Sequence, residues 1–223
     1  MKKFLLVPSI LSADFANLGL EITRVLLAGY DLIHFDVMDN HYVPNLSMSP
    51  IILDSIIKYG IKPSYIDVHL MVNPAEKLID IFAKKRVNCI NFHPETTSNI
   101  SKSLSLIKSY NCKAGLVINP NDSIDFLYNF INKLDVIVIM LVNPGFSNQK
   151  LIPNTIKKII KIKKIIIESG CNVSIEVDGG ITIDNINKIA KSGADIFVIG
   201  STIFNSKNYL KTIKKIRNKL INI

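Results

Sequence analysis

Short runs rich in β-branched residues alternate with longer amphipathic stretches along this 223-residue chain, and this alternation constrains the fold more than any other feature. It is typical of repeated βα units around a parallel sheet. Proline in Asn73-Pro74 and at Pro153 predicts first helical positions, and Thr182 and Asp184 predict helix caps. Eight runs predict strands, each followed by a helix: Leu5 to Ile10, Asp31 to Met38, Ser64 to Met71, Asn88 to His93, Lys113 to Ile118, Val136 to Val142, Val173 to Asp178 and Asp195 to Gly200.

No linker or change in composition divides the chain. The repeat period is about 25–30 residues, as in barrels of βα units. The hydrophobic content of 48% is enough for one sizeable core. We therefore predict a single domain, residues 1–223, of the α/β class and folded as a (β/α)8 TIM barrel. An open doubly wound sheet is the alternative, but the glycine-rich dinucleotide fingerprint expected after its first strand is absent.

The composition favours a cytoplasmic protein. Pro8 and Ser9 interrupt the amino-terminal apolar run too early for a signal peptide, and no later run is apolar enough to span a bilayer. Cys89, Cys112 and Cys171 show neither the spacing of a zinc site nor the pairing of a secreted scaffold. A reducing compartment fits this pattern best.

The net charge of +9 raises the question of a nucleic-acid partner. The lysines concentrate in residues 157–164 and 211–219, where apolar residues recur at helical spacing. These segments lack aromatic residues and flexible basic arms, so we interpret them as solvated outer faces of helices. A basic barrel that binds nucleic acid remains the non-enzymatic alternative.

Polar residues recur at every second position within three of the predicted strands. Residues two apart on a strand share a face, so each group is expected to point into the barrel. Burying these carboxylates and imidazoles is costly unless they pair or hold a metal ion. The groups are His34, Asp36 and Met38; Asp67, His69 and Met71; and Glu176 and Asp178.

Four of these side chains predict a metal site, because active groups of such barrels lie at the carboxyl ends of strands. Two imidazoles and two carboxylates suit one divalent ion such as Zn, Fe, Mn or Co. Asp67 and Glu176 lie deeper on the same faces, where they either accept hydrogen bonds from the histidines or simply layer the interior. The predicted ligands are His34, Asp36, His69 and Asp178.

The positions of Asp36 and Asp178 also predict acid–base chemistry. Strands two and seven are three steps apart around a ring of eight, so the two carboxylates are expected on nearly opposite sides of the barrel mouth. This arrangement can remove a proton from one face of a carbon and return one to the other face.

Other residues near the strand ends predict the rest of the site. A glycine pair, Gly179-Gly180, follows strand seven, and Gly200-Ser201 opens the turn after strand eight. Barrels often bind phosphate in this region through backbone N–H groups. Thioethers near strand ends could line the walls around a reactive carbon. These are Met38, Met71 and Met140. His41 and His93 are interpreted as structural.

Several long motifs in order resemble the ribulose-phosphate 3-epimerase family: VPSILSADF, HFDVMDNHYVPN, DVHLM, LVNPGF, EVDGG and the Gly200-Ser201 turn. The similarity runs from about Leu5 to the last helix. The resemblance implies the same four metal ligands, with Asp36 as proton acceptor and Asp178 as proton donor. It implies interconversion of D-ribulose 5-phosphate and D-xylulose 5-phosphate through an enediolate. A small-molecule sugar phosphate is the expected partner, and a homo-oligomer is expected.

By the same resemblance, Ser9 and His69 contact the substrate, together with Asp178 and three loops. The loop residues are Gly145, Phe146, Ser147, Asn148, Gly179, Gly180, Gly200 and Ser201. The family usually has glycine where this chain has Ser147 and Asn148. Asparagine adopts positive φ more readily than serine does. The resemblance is therefore weakest in this loop, and so is the phosphate-binding role that it implies for these two residues.

Two other enzymatic activities compete with this interpretation. A 3-epimerase of a six-carbon ketose phosphate, such as D-allulose 6-phosphate, would use the same groups. A metal-assisted decarboxylase or aldolase on a related barrel would be expected to carry an Asp-x-Lys-x-x-Asp pattern on strand three. Here Asp67 is followed by Val68 and His69, so the lysine is missing.

Overall fold

A computed structural model of the chain describes residues 4–221 and 223. Eight strands form one parallel sheet in the order β1-β8-β7-β6-β5-β4-β3-β2. All eight predicted strands are confirmed, several of them shorter at one or both ends. They are β1 (Leu5–Pro8), β2 (Ile33–Met38), β3 (Ile66–Met71), β4 (Cys89–Phe92), β5 (Lys113–Ile118), β6 (Val136–Met140), β7 (Ser174–Asp178) and β8 (Ile196–Ile199).

The sheet curves into a barrel. A parallel bridge between Ser9, just after β1, and His34 of β2 joins the two edges of the sheet. In the β2–β3 register His34 lies beside Asp67, and Asp36 lies beside His69. The predicted (β/α)8 TIM barrel is therefore confirmed, and the bridge brings the first motif of the chain against the second.

Helices surround the strands, although not after every one. Within the described residues, α-helices follow seven strands: α1 (Leu18–Leu27), α2 (Pro50–Lys58), α3 (Glu76–Lys84), α4 (Ile100–Ser109), α5 (Thr155–Ser169), α6 (Ile186–Lys191), and after β8 both α7 (Ser201–Phe204) and α8 (Tyr209–Leu220). The prediction that Pro74 and Pro153 occupy first helical positions was wrong, because each proline precedes the first residue of its helix by two positions. Thr182 caps the start of α6 as predicted, since its hydroxyl accepts from the backbone N–H of Asn185 at 3.3 Å and its backbone N–H donates to the side chain of Asn185 at 2.8 Å. Asn185, and not Asp184, directly precedes the helix.

The helix predicted after β5 is wrong: this segment contains two 3-10 turns, Asp125–Asn129 and Ile131–Lys133. The ammonium of Lys158 binds the carbonyl oxygens of residues 119, 120 and 122 at 2.7–2.9 Å. Ser123 and Asp125 also bond to each other and to the local backbone. The contacts of Lys158 and the hydrogen bonds of Ser123 occupy backbone groups that a helix would use for its own hydrogen bonds. Lys158 is therefore half-buried, and the prediction of a solvated face was wrong at this position.

The main hydrophobic core lies between the sheet and the helices. Smaller apolar clusters are separate from this core, and one of them contains Val117, Val138 and Met140 of β5 and β6. Part of the barrel interior is polar, because inward-facing positions carry buried histidines and carboxylates. Among the residues that the structure describes, no helix is both long enough and apolar enough to cross a membrane.

Candidate active site

Four predicted ligands meet at the carboxyl ends of β2, β3 and β7. His34 and His69 are fully buried, Asp36 is buried, and the side chain of Asp178 is 15% exposed. One ligand atom from each of the four lies within 4.8 Å of the others. Strand alternation thus points these groups into the barrel, and the position of Asp178 at the end of β7 brings it closest to the solvent.

The nitrogen and oxygen atoms face a common point. Oδ1 of Asp36 lies 3.3 Å from Nε2 of His34 and 3.4 Å from Nδ1 of His69. Oδ2 of Asp178 lies 3.9 and 3.8 Å from the same two nitrogens. The two carboxylates come from strands three steps apart around the ring, β2 and β7, and so from nearly opposite sides of the barrel, as predicted. One oxygen of each lies within 4.8 Å of the other.

The donor atoms fit a divalent ion. Nε2 of His34 and Nδ1 of His69 are buried and have no hydrogen-bond partner among the described residues. Buried polar atoms normally have a partner, so two convergent orphaned nitrogens indicate a missing ligand. Two ligands at ~2.1 Å from a tetrahedral ion lie ~3.4 Å apart. The distances of 3.3–3.9 Å between the two nitrogens and the oxygens of Asp36 and Asp178 are close to that value.

A second layer of polar groups supports His34 from below. Nδ1 of His34 lies 2.7 Å from Oδ2 of Asp67, whose other oxygen accepts a hydrogen bond of 2.7 Å from the amide of Asn91. Glu176 lies farther away, 3.5 Å from the same nitrogen. The predicted support of a histidine by a deeper carboxylate is therefore present for His34 and Asp67.

His69 has a different support, which the sequence interpretation missed. Its Nε2 lies 3.0 Å from Nε2 of His93, and both rings are fully buried. His93 had been set aside as structural. The alternation of Cys89, Asn91 and His93 along and just beyond β4 was the signal that could have identified this inward-facing position.

The electrostatic environment separates the two carboxylates. Burial opposes ionisation of Asp36, but the neighbouring His34 and His69 outweigh it and hold the pKa of Asp36 well below its usual range. Burial raises the pKa of Asp178 to about 6, with the imidazole of His34 opposing and the charge of Asp36 contributing to the increase. Burial alone would lower the pKa of His34, but Asp36 and Asp67 raise it. In the protein without an ion, Asp36 is thus the stronger acid and Asp178 holds a proton more readily.

A cleft opens at the site of the four ligands. Asp36 and Asp178 form part of its floor, and the rings of His34 and His69 are buried below it. All the other predicted site residues line it: Ser9, Met38, Met71, Met140, Gly145, Phe146, Ser147, Asn148, Gly179, Gly180, Gly200 and Ser201. The lining also includes residues that the sequence interpretation missed: Leu11, Ser12, Val142, Asn143, Pro144, Gln149, Ile181 and Val198.

Comparison with known proteins assigns the chain to a family. The model of the ribulose-phosphate 3 epimerase family matches residues 5–204. A ribulose-phosphate 3-epimerase of Buchnera aphidicola (subspecies Acyrthosiphon pisum) is 54% identical over 220 residues, which cover 99% of this chain and 96% of the relative. The chain belongs to the ribulose-phosphate 3-epimerase family. It is an enzyme of the isomerase class.

Further comparisons agree in sequence and in fold. A ribulose-phosphate 3-epimerase of Escherichia coli K12 is 48% identical over 223 residues, which cover 100% of this chain and 99% of the relative. A mutant tryptophan synthase alpha-subunit from Pyrococcus furiosus has a TM-score of 0.68 at 14% identity and covers 99% of each chain. This second likeness concerns the barrel fold alone.

The loop after β6 carries Ser147 and Asn148, where the resemblance implied glycine, and hydrogen bonds link the two ends of this loop. Asn148 has a φ of 62°, so the expectation that it takes the left-handed conformation is confirmed. Ser147 is not among the residues with positive φ. The side-chain amide of Gln149 donates to the carbonyl oxygens of Asn143 and Phe146 at 2.7 and 2.9 Å. The replacement of two glycines is therefore compatible with this backbone.

Two neighbouring loops close around this segment of the epimerase fold. The amide of Asn45 donates to the carbonyl oxygen of Gly145 at 2.7 Å. A Cβ at Gly180, which has a φ of 64°, would lie 2.5 Å from the backbone nitrogen of Leu151. The loops after β2, β6 and β7 thus pack against one another at the rim of the cleft.

The predicted methionines and Ser9 lie at the cleft and beside Asp36. Met38 and Met71 form one apolar wall with Val43, and Met140 lies across the cleft from them. The hydroxyl of Ser9 donates to Oδ2 of Asp36 at 2.6 Å. No lysine lines the described cleft, which argues against the decarboxylase and aldolase alternative.

Proposed function

We propose that this chain interconverts D-ribulose 5-phosphate and D-xylulose 5-phosphate by two-base proton transfer at C3: one of Asp36 and Asp178 removes the C3 proton, and the other delivers its own proton to the opposite face. Membership of the family supports the reaction class. The observation that carries the mechanism is the convergence of two carboxylates from opposite walls on one buried point. A carbon held between them has one base on each face, which is what inversion at that carbon requires.

In this proposal Asp36 is the proton acceptor for D-ribulose 5-phosphate. Ser9 donates a hydrogen bond to Oδ2 of Asp36, which fixes the carboxylate plane and favours its ionised form. Asp178 is the proton donor on the other face. In the reverse reaction the two residues exchange roles.

The orphaned nitrogens support a divalent ion held by His34, His69 and both carboxylates. When bound, such an ion supplies a Lewis acid that stabilises negative charge on a substrate oxygen during proton removal. The carboxylates still carry out the proton transfers. Asp67 keeps the ring of His34 oriented through the hydrogen bond to its Nδ1.

The rim of the cleft is proposed to hold the phosphate. The turns at Gly179-Gly180 and Gly200-Ser201 and the loop at residues 145–148 lie on the side of the cleft bounded by β6, β7 and β8. Backbone N–H groups in such turns are suited to bind phosphate oxygens. Met38, Met71 and Met140 are proposed to shield the reacting carbon from water.

The first test is an assay of D-ribulose 5-phosphate conversion before and after chelation, with each divalent ion then added back. The proposal expects no activity without an ion and recovery with at least one of Zn, Fe, Mn and Co. Full activity in metal-free protein would show that two-carboxylate transfer needs no electrophile. The same assay with D-allulose 6-phosphate distinguishes pentose from hexose phosphate preference, since specificity is a ratio of kcat/KM values.

A second test separates the two bases through Asp178→Asn. In deuterated water, metal-loaded variant is expected to exchange deuterium into D-ribulose 5-phosphate while it forms almost no D-xylulose 5-phosphate. Ion content is measured alongside, because Asp178 is also a proposed ligand. Epimerisation at a near wild-type rate would contradict the two-base assignment. Loss of both exchange and epimerisation, with the ion bound, would mean that Asp178 acts before proton removal.

A cytoplasmic location and a homo-oligomeric state stay predictions. Analytical ultracentrifugation tests the second one. Nucleic-acid binding by the lysine-rich outer faces would show as an affinity that falls steeply with salt and that does not depend on a bound ion.

A further inference from the structure

We propose that His93 is a positioning residue that accepts a hydrogen bond from Nε2 of His69 and so keeps Nδ1 of His69 available to the ion. This inference rests on the proposed metal site. It concerns a residue that lies outside the cleft lining and outside the ligand set. His93 therefore acts through His69 and is not itself a catalytic residue.

The contact between the two rings is short and enclosed. Their Nε2 atoms are 3.0 Å apart, and the ring centroids lie 5.2 Å apart. Both residues are fully buried, so no solvent competes for either nitrogen. A distance of 3.0 Å is that of an ordinary hydrogen bond, which requires one nitrogen to carry a proton and the other to present a lone pair.

The direction of this hydrogen bond follows from the metal site. A neutral imidazole carries one proton, and a metal ligand must present its lone pair. Nδ1 of His69 faces the carboxylates of Asp36 and Asp178, so the proton of a metal-bound His69 must lie on Nε2. His69 is then the donor and Nε2 of His93 is the acceptor. His93 must therefore carry its own proton on Nδ1.

The surroundings of His93 favour that tautomer. The nearest anionic group to Nδ1 of His93 is Oε1 of Glu95, at 3.8 Å. Glu95 is held there by the hydroxyl of Tyr42 at 2.5 Å and by the side-chain amide of Asn119 at 3.0 Å. The ring of Tyr42 also packs on His93, with centroids 4.7 Å apart. Nδ1 of His93 has no hydrogen-bond partner among the described residues, so this carboxylate favours a proton on Nδ1 through its charge alone, and it leaves Nε2 free to accept.

The two histidine ligands therefore have different supports. His34 donates to a carboxylate, that of Asp67, at 2.7 Å. His69 donates to an uncharged imidazole. A carboxylate acceptor increases the basicity of a ligating histidine more than a neutral acceptor does. His69 is thus expected to be the weaker of the two nitrogen ligands, and more dependent on correct orientation.

The decisive measurement is the tautomer of His93 by long-range proton–nitrogen correlation spectra of protein with labelled histidine. The expected form has the proton on Nδ1 of His93 in the zinc-loaded protein, because a zinc-bound His69 must donate through Nε2. A proton on Nε2 of His93 would overturn the proposal. The spectrum does not depend on activity. Failure of the wild-type protein to bind zinc would overturn the proposed metal site and this inference with it, whereas bound zinc with the proton on Nε2 of His93 would overturn this inference alone.

Two variants of His93 supply the second test. His93→Gln keeps an acceptor near the position of Nε2, whereas His93→Leu has a similar volume and no acceptor. The dissociation constant for zinc, measured by competition with a chelator, is expected to rise about 10–100-fold for His93→Leu, the range for lost outer-shell partners, and to stay close to wild type for His93→Gln. Equal affinities for the two variants would show that His93 only fills space. Thermal unfolding of both variants checks the fold, and if the leucine variant does not fold, the tautomer of wild-type His93 decides.

Discussion

The substitution Gly115→Ala tests the buried hydrogen-bond chain that leads to the proposed metal site. Gly115 lies on β5, beside Asn91 of β4. A Cβ at this position would lie 1.9 Å from Oδ1 of Asn91 and 3.2 Å from the carbonyl oxygen of Val136. Asn91 is fully buried and donates to Asp67, which in turn supports His34. An added methyl group must therefore displace the amide of Asn91.

The expected cost follows from the bond that is lost. Moving Asn91 breaks a buried hydrogen bond to a carboxylate, which costs about 1.5–3 kcal/mol. Alanine within a strand recovers about 0.5–1 kcal/mol relative to glycine. The net loss in the free energy of unfolding is about 1.5 kcal/mol, which lowers the Tm of a protein of this size by about 3–6 °C. Loss of support for Asp67 is also expected to weaken metal binding.

The assay is urea unfolding of the metal-free protein, arranged as a double-mutant cycle with Asn91→Ala. Truncation of Asn91 removes both the amide and the clash, so Gly115→Ala is expected to add little to a protein that already carries Asn91→Ala. Additive losses would place the strain elsewhere, for example at the carbonyl of Val136. A change below about 0.5 kcal/mol for Gly115→Ala alone, the range of ordinary surface substitutions, would refute the reasoning.

Three further predictions concern the site itself. Ser147→Gly with Asn148→Gly is expected to leave KM unchanged or lower, because glycine adopts any backbone conformation present there; a loss of more than about tenfold in kcat/KM, about 1.4 kcal/mol, would show direct side-chain contributions. In metal-free protein Asp178→Asn is expected to unfold at higher urea than wild type at pH about 8. The difference should vanish towards pH about 4, because a folded pKa raised to about 6 stabilises the native state only while the carboxyl is protonated. Asp67→Asn is expected to weaken zinc binding about 10–100-fold in a chelator competition, and an unchanged affinity would contradict the support of His34.

The strands and the ligand set could be predicted because both depend on local sequence pattern. A buried parallel strand needs a short apolar run, and each of the eight runs contains one. Strand alternation then determines which side chains share the interior face, so His34 and Asp36 could be placed together before any coordinates. The order of strands around the ring gave the opposed positions of Asp36 and Asp178.

Other features depended on tertiary contacts that no local pattern contains. The segment after β5 has apolar residues at helical spacing, but its carbonyl groups bind Lys158 of a later helix. The pairing of His69 with His93 depends on the orientation of two rings on adjacent strands. Alternation on β4 indicates that His93 faces inward, but it does not indicate which atom the ring contacts.

The distribution of polar and apolar groups assigns stability and chemistry to different layers of the barrel. Barrels of this class usually fill their interior with bulky apolar side chains. Here the interior positions of β2, β3, β4 and β7 carry buried histidines, carboxylates and an amide, and the large core lies between the sheet and the helices. Buried charged groups without full pairing cost stability, so the outer core must offset that cost. The orphaned nitrogens of His34 and His69 and the carboxylate of Asp178 face one point. A bound ion would give these three groups a partner and so offset part of the cost of burying them. Substitutions that neutralise the site should therefore stabilise the metal-free protein while they remove its activity, which is the trade-off expected when residues are selected for function.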